Sequence, residues 1–122
     1  APIRLPRASA AHRAAPAANG YAAVPATISA VVAEHPMAGM AGYPASKAAV
    51  SAFTAAASRE TRRATVRLVD ARPPHTETGL AQRPIHGEAP KLPEGLAPEA
   101  VADRIVAAIV AGEREVPASA FG

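Results

Sequence analysis

A chain of 122 residues is long enough for one packed domain and too short for two ordinary ones. Apolar residues make up 49% and aromatics only 3%, so alanine supplies much of the apolar content and each buried side chain removes little area from water. The net charge of +3 is carried by arginines spread over several predicted elements with almost no aromatic side chains for base stacking, which favours a solvated basic face and speaks against nucleic acid as a partner.

The lack of cysteine excludes a disulfide frame, a thiolate zinc site and a cysteine nucleophile, and suits a cytoplasmic setting. The histidines His12, His35, His75 and His86 show no metal-ligand spacing, so no metal is expected. No apolar run approaches the roughly 20 residues of a membrane span, and no signal-peptide core opens the chain.

In chain order, "PIRLPRASAAHRAAPAA" (2–18) has helical composition, but Pro6 and Pro16 predict a short or kinked helix, ended by Asn19 and Gly20. "AAVPATISAVV" (22–32) reads as a buried strand with Pro25 near its start, followed by a small-residue loop, "AEHPMAGMAG". A long helix is predicted from Tyr43 to about Arg63, with Pro44 tolerated in its first turn. "TVRLVDA" (65–71) reads as a second strand stopped by Pro73 and Pro74. Residues 75–96 form a long irregular segment, the kind of loop that serves as a lid or binding loop. Pro98 opens a last helix with Val101, Ile105, Ala108 and Ile109 on its apolar face, Gly112 closes it, and "REVPA" is a final short strand. This order predicts a single α/β domain over residues 1–122 with about three parallel strands.

The stretch "GYPASKAAVSAF" (42–53) carries the chemistry. Residues four apart stack on one helix face, so Tyr43 and Lys47 point the same way. An ammonium near a phenol favours the phenolate, so Lys47 is expected to lower the Tyr43 pKa and make it a usable general acid and base. Ser46 reads as a helix-surface serine, His75 as an exposed turn residue, and Met37 and Met40 as gap-fillers in the loop. Asp70 and Glu77 show no paired-carboxylate pattern.

Taken together, "TISAVVAEHPMAGMAGYPASKAAVSAFTAAASRE", "VRLVDARPPHTETGL" and "PEAVADRIVAAI" resemble the short-chain dehydrogenase/reductase family over about residues 20–116. The resemblance implies a partial Rossmann-like three-layer fold and an NAD(P)-dependent oxidoreductase interconverting an alcohol and a carbonyl. It implies Tyr43 as the catalytic acid/base. Lys47 would lower the Tyr43 pKa and hold the nicotinamide ribose, while Pro73, Pro74, Thr76 and Thr78 would line the nicotinamide end of NAD or NADP. The loop 75–96 would be the substrate lid. It also implies self-association through the helices at 2–18 and 43–63.

Three departures qualify these expectations. Ala30 stands where the family places a catalytic serine, with Ser29 beside it on the alternate face of the strand. Pro74 stands at the family's glycine, stiffening the turn. No G-x-G-x-x-G loop occurs, so the N-terminal dinucleotide-binding half is missing from the sequence. The chain is therefore expected to be a C-terminal fragment inactive on its own, or alternatively a non-catalytic remnant serving as a self-association or interaction module.

Overall fold

The computed structural model describes residues 24–63 and 66–122, and the helix expected over 2–18 lies outside them. Three short parallel strands form one sheet in the order β1 (Ala26–Ile28), β2 (Val69–Ala71), β3 (Glu115–Val116). Helix α1 (Gly42–Glu60) follows β1, and helix α2 (Pro98–Ala111) precedes β3. The expected α/β class with three parallel strands is what the chain adopts. The register aligns Ala26 with Val69, Thr27 with Asp70 and Ile28 with Ala71, then Asp70 with Glu115 and Ala71 with Val116.

The strands are shorter than their apolar runs suggest. Among the described residues, the strand expected over 22–32 keeps ladder geometry over Ala26–Ile28, because Val31 donates its N–H to the Pro73 carbonyl at 2.9 Å and the chain turns into a 3-10 segment, Val31–Ala33. Of the strand expected over 65–71, Val69–Ala71 form the continuous strand of the sheet. The helix expected over 43–63 ends at Glu60 and tightens into a 3-10 turn over Thr61–Arg63, where the Thr61 hydroxyl donates to the Ala57 carbonyl at 2.8 Å. The last helix starts at Pro98 and stops at Gly112, whose φ of 84° is the left-handed geometry glycine adopts without strain. Arg67 reaches over from before β2 and donates to the Ile109 carbonyl, a cation set on the negative end of α2.

Alternation along the strands gives the sheet two unlike faces. Val69, Ala71 and Val116 face α2 and form a core with Val101, Ile105 and Ala108, against which Ile109 also packs. Full burial of each such valine stabilises the fold by about 1.5–3 kcal/mol. The other face, under α1, is polar. Asp70 is 2% exposed and accepts from Thr27 at 3.1 Å, Ser29 at 2.8 Å, Ser51 at 2.7 Å and Arg72 at 2.9 Å. Thr54, also buried, bridges to the Thr27 hydroxyl at 2.9 Å. Arg72 extends the network to Glu34 and, at 3.1 Å, to Glu115. Burial alone pushes the Arg72 pKa down, but its hydrogen bonds to Glu34, Glu115 and Asp70 outweigh that and raise it.

The segment expected as irregular over 75–96 is pinched at its neck. Thr76 and Leu96 form a parallel bridge, with Leu96 N–H donating to the His75 carbonyl at 2.8 Å and Glu77 N–H to the Leu96 carbonyl at 2.9 Å. Gly95 lies so close to this neck that an added Cβ would stand 2.6 Å from the His75 carbonyl oxygen. Gly95→Ala therefore forces backbone apart, with an expected loss of about 1–3 kcal/mol and faster proteolysis within residues 77–94. Asp70→Ala removes a buried acceptor shared by Arg72 and three hydroxyls, and chemical denaturation is expected to show a loss of about 1–3 kcal/mol.

Candidate active site

The C-terminal ends of β1 and β2 are where an open parallel sheet receives ligands. Four parts of the chain meet there: the end of β1 at Ile28, the 3-10 turn, the turn after β2 at Pro73, and the first turns of α1. The Val31 to Pro73 hydrogen bond holds the two strand ends together. Helix α1 begins without a side-chain cap, and Tyr43 N–H donates to the Met40 carbonyl at 3.0 Å. Pro44 is buried in the first turn.

Tyr43 is 43% exposed, and Lys47 sits one turn along on the same side. The Lys47 ammonium lies over the Tyr43 ring, 5.6 Å from its centroid, and donates to the Ile28 carbonyl at 3.0 Å. The predicted pairing on one helix face is thus realised, but the expected electrostatic effect is not. Burial pushes the Tyr43 phenol up from its ordinary value, and no lowering by Lys47 offsets it. The ammonium engages the ring face and a backbone carbonyl, and burial pushes its own pKa down while the Asp70 charge opposes that shift. The expectation of an acidified phenol is corrected on this ground.

The remaining residues are placed as follows. Ala30 is extended, with φ 160° and ψ 164°. Beside it Ser29 is buried, and its hydroxyl is spent on Asp70 and, at 3.3 Å, on the Ala71 carbonyl. Pro73 is buried and Pro74 half-buried, while Thr76 is half-buried and donates to the Pro74 carbonyl at 3.1 Å. Thr78 is exposed on the outgoing loop. Tyr43, Lys47 and Pro73 therefore gather at the strand ends, whereas the Thr76 hydroxyl closes its own turn. Ser46 donates to the Tyr43 carbonyl at 2.7 Å, a helix-surface role. His75 is more enclosed than expected, with Nε2 3.2 Å from the Glu77 carboxylate. Met37 is exposed and Met40 half-buried in the loop before α1. No helix among the described residues is long and apolar enough to cross a membrane, and no metal-binding cluster occurs among them.

Sequence reasoning missed Asp70 and Arg72, which set the position of α1 on the sheet. Their signal was a lone acid and base flanking the end of an apolar strand, "LVDAR".

The sequence pattern of the short chain dehydrogenase family matches residues 13–88, more than half of the chain, and the protein belongs to that family. Among solved structures, a short chain dehydrogenase from Burkholderia cenocepacia J2315 in complex with NADP is 25% identical, with a TM-score of 0.68 over 85% of this chain and 41% of that one. A short-chain dehydrogenase from Sphingobium yanoikuyae in complex with NADPH shares the fold at 23% identity, TM-score 0.68, over 77% of this chain and 36% of that one. The chain thus spans about two fifths of the length of these relatives. No curated protein matches the sequence.

Ultraviolet titration in a Tyr21→Phe background isolates the Tyr43 phenol. Its midpoint is expected above the ordinary phenol value of about 10, and Lys47→Met is expected to leave it in place. A midpoint below that value, rising on removal of Lys47, would contradict burial as the dominant influence on this phenol.

Proposed function

We propose that this chain supplies the proton-transfer part of an NAD(P)-dependent short-chain dehydrogenase/reductase acting on a small-molecule alcohol or carbonyl. The observation that carries the reading is the joint placement of Tyr43 and Lys47 at the carboxyl end of a parallel sheet, with the ammonium 3.0 Å from the Ile28 carbonyl oxygen. Family membership and the NADP-bound Burkholderia relative support it.

The residues fit one end of a dinucleotide. An ammonium has three donors, so Lys47 can keep the Ile28 carbonyl and still offer two N–H groups to ribose hydroxyls. Pro73 lies at the same strand end, Pro74, Thr76 and Thr78 on the segment after it would line the nicotinamide, and the loop closed by Thr76 and Leu96 would serve as the substrate lid. The nicotinamide would supply or accept the hydride. Tyr43, a phenol protonated at neutral pH, is set to donate to a carbonyl oxygen in reduction and, in the reverse sense, to take the proton of an alcohol. Ala30 provides no hydroxyl to the same oxygen, an absence worth on the order of 10²–10³ in rate at comparable oxyanion sites. The sequence has no Gly-rich loop to cradle the pyrophosphate, so the 122 residues by themselves are expected to be inactive. A cytoplasmic setting belongs to the same proposal.

A second reading, a non-catalytic module that self-associates, is favoured by the outer side of β1. It is the edge of the described sheet, and Ile28 there is 55% exposed. Sedimentation velocity separates the two: concentration-dependent dimers abolished by Ile28→Lys support the module, and a monomer removes it.

The isolated chain is expected to give no saturable NADPH fluorescence enhancement and no carbonyl reduction, and Ala30→Ser is expected not to restore turnover. The decisive test places the dinucleotide-binding segment of the Burkholderia relative ahead of this chain. The chimera is expected to bind NADPH and reduce carbonyls, with Tyr43→Phe lowering the rate by on the order of 10²–10⁴. A folded chimera that binds NADPH and reacts equally well as Tyr43→Phe overturns the assignment.

A further inference from the structure

A groove of about 350 Å³ runs along the C-terminal half of α1, between the helix and the polar face of β2 and β3. It begins at Ser51, one turn beyond Lys47, and its basic rim lies away from the proposed active site: Tyr43 and Arg59 are 16 positions apart on one helix, about 24 Å at 1.5 Å per residue. The groove exists because α1 presents Ala52, Ala55 and Ser58 here, side chains too small to reach the sheet.

Its charge is uneven. At the floor, Asp70 is compensated by four donors, and Arg72 is shared among Glu34, Asp70 and Glu115. The rim carries Arg59, Arg62 and Arg114, and among the described residues none of these forms an ion pair. Arg114 donates to the Ser58 hydroxyl at 3.0 Å, which holds its guanidinium across the groove from β3 to α1. Arg59, at the end of α1, and Arg62, in the 3-10 turn that follows, lie three positions apart, a spacing that keeps both on one side.

We propose that this groove binds a phosphate-bearing small molecule. Guanidinium forks match tetrahedral phosphate oxygens with paired N–H donors, and three of them around one opening suit a group carrying more than one negative charge. A single carboxylate would be satisfied by one fork. The same phosphate chemistry could arrive on a nucleic acid, but no aromatic side chain lines the groove among the described residues, so exposed bases would find nothing to stack on. The volume also suits a compact ligand of a few hundred cubic ångströms.

Isothermal titration of the 122-residue chain with inorganic pyrophosphate, at about 50 mM salt, tests the site. One-site saturable binding is expected, weakened about tenfold or more in Arg59→Gln/Arg62→Gln and in Arg114→Gln. Lys91→Gln removes one positive charge, as Arg114→Gln does, at a residue that does not line the groove, and is expected to leave binding unchanged. Circular dichroism confirms that each variant is folded, and the two independent sets of substitutions guard against loss of fold in one. A parallel arm uses a short single-stranded oligonucleotide. Absence of saturable pyrophosphate binding, equal weakening in Lys91→Gln, or tighter binding of the oligonucleotide that depends on the same arginines would each overturn the assignment.

Discussion

The carboxylate of Asp70 is the point on which the arrangement of α1 depends. It lies in the middle strand of three, sealed between sheet and helix, and it accepts hydrogen bonds from β1, from α1 and from its own strand end. A buried charge is tolerable only when its acceptor sites are filled, and here hydroxyls and a guanidinium fill them. The consequence is a sheet whose two faces are held by different forces. Under α2 the contacts are apolar and adaptable. Under α1 they are directional.

That difference explains what the sequence disclosed and what it hid. The Tyr43 and Lys47 pairing was legible because four residues along a helix always returns to the same face, whatever the rest of the chain does. The limits of α2 were legible for the same local reason: Pro98 can start a helix and Gly112 can leave one. Strand lengths were overestimated because Val31 and Val32 continue the apolar pattern of β1 after the backbone has turned toward Pro73. The Asp70 network was illegible in a stronger sense. Thr27, Ser29 and Ser51 are 43, 41 and 19 positions away from it in sequence, so no short-range spacing reports their meeting.

The direction of the Tyr43 shift had a related cause. Helix periodicity places two side chains side by side but does not say where the end of a lysine goes. The four-carbon stem lets the ammonium choose its partner, and here the last carbonyl of β1 takes it. The ammonium lies over the Tyr43 ring and bonds the strand, and burial is the cause that sets the phenol upward. The strand end therefore shapes the proton chemistry of the helix beside it.

The polar face also fixes the rotation of α1, and through it the aim of Tyr43. Each residue turns a helix by about 100°, so slipping α1 by one position would carry Ser51 away from Asp70 and Thr54 away from Thr27 while swinging Tyr43 off the strand ends. An apolar contact tolerates such a slip by repacking; a 2.7 Å hydrogen bond to a buried carboxylate does not. Ser29 belongs to the same lock. Its hydroxyl stands beside Ala30, where the sequence resemblance leads one to expect a serine, and it serves the anchor of α1 at Asp70. The Ser29 hydroxyl is thus committed to holding α1, which keeps Tyr43 and Lys47 at the strand ends, and Ala30 beside it carries no hydroxyl.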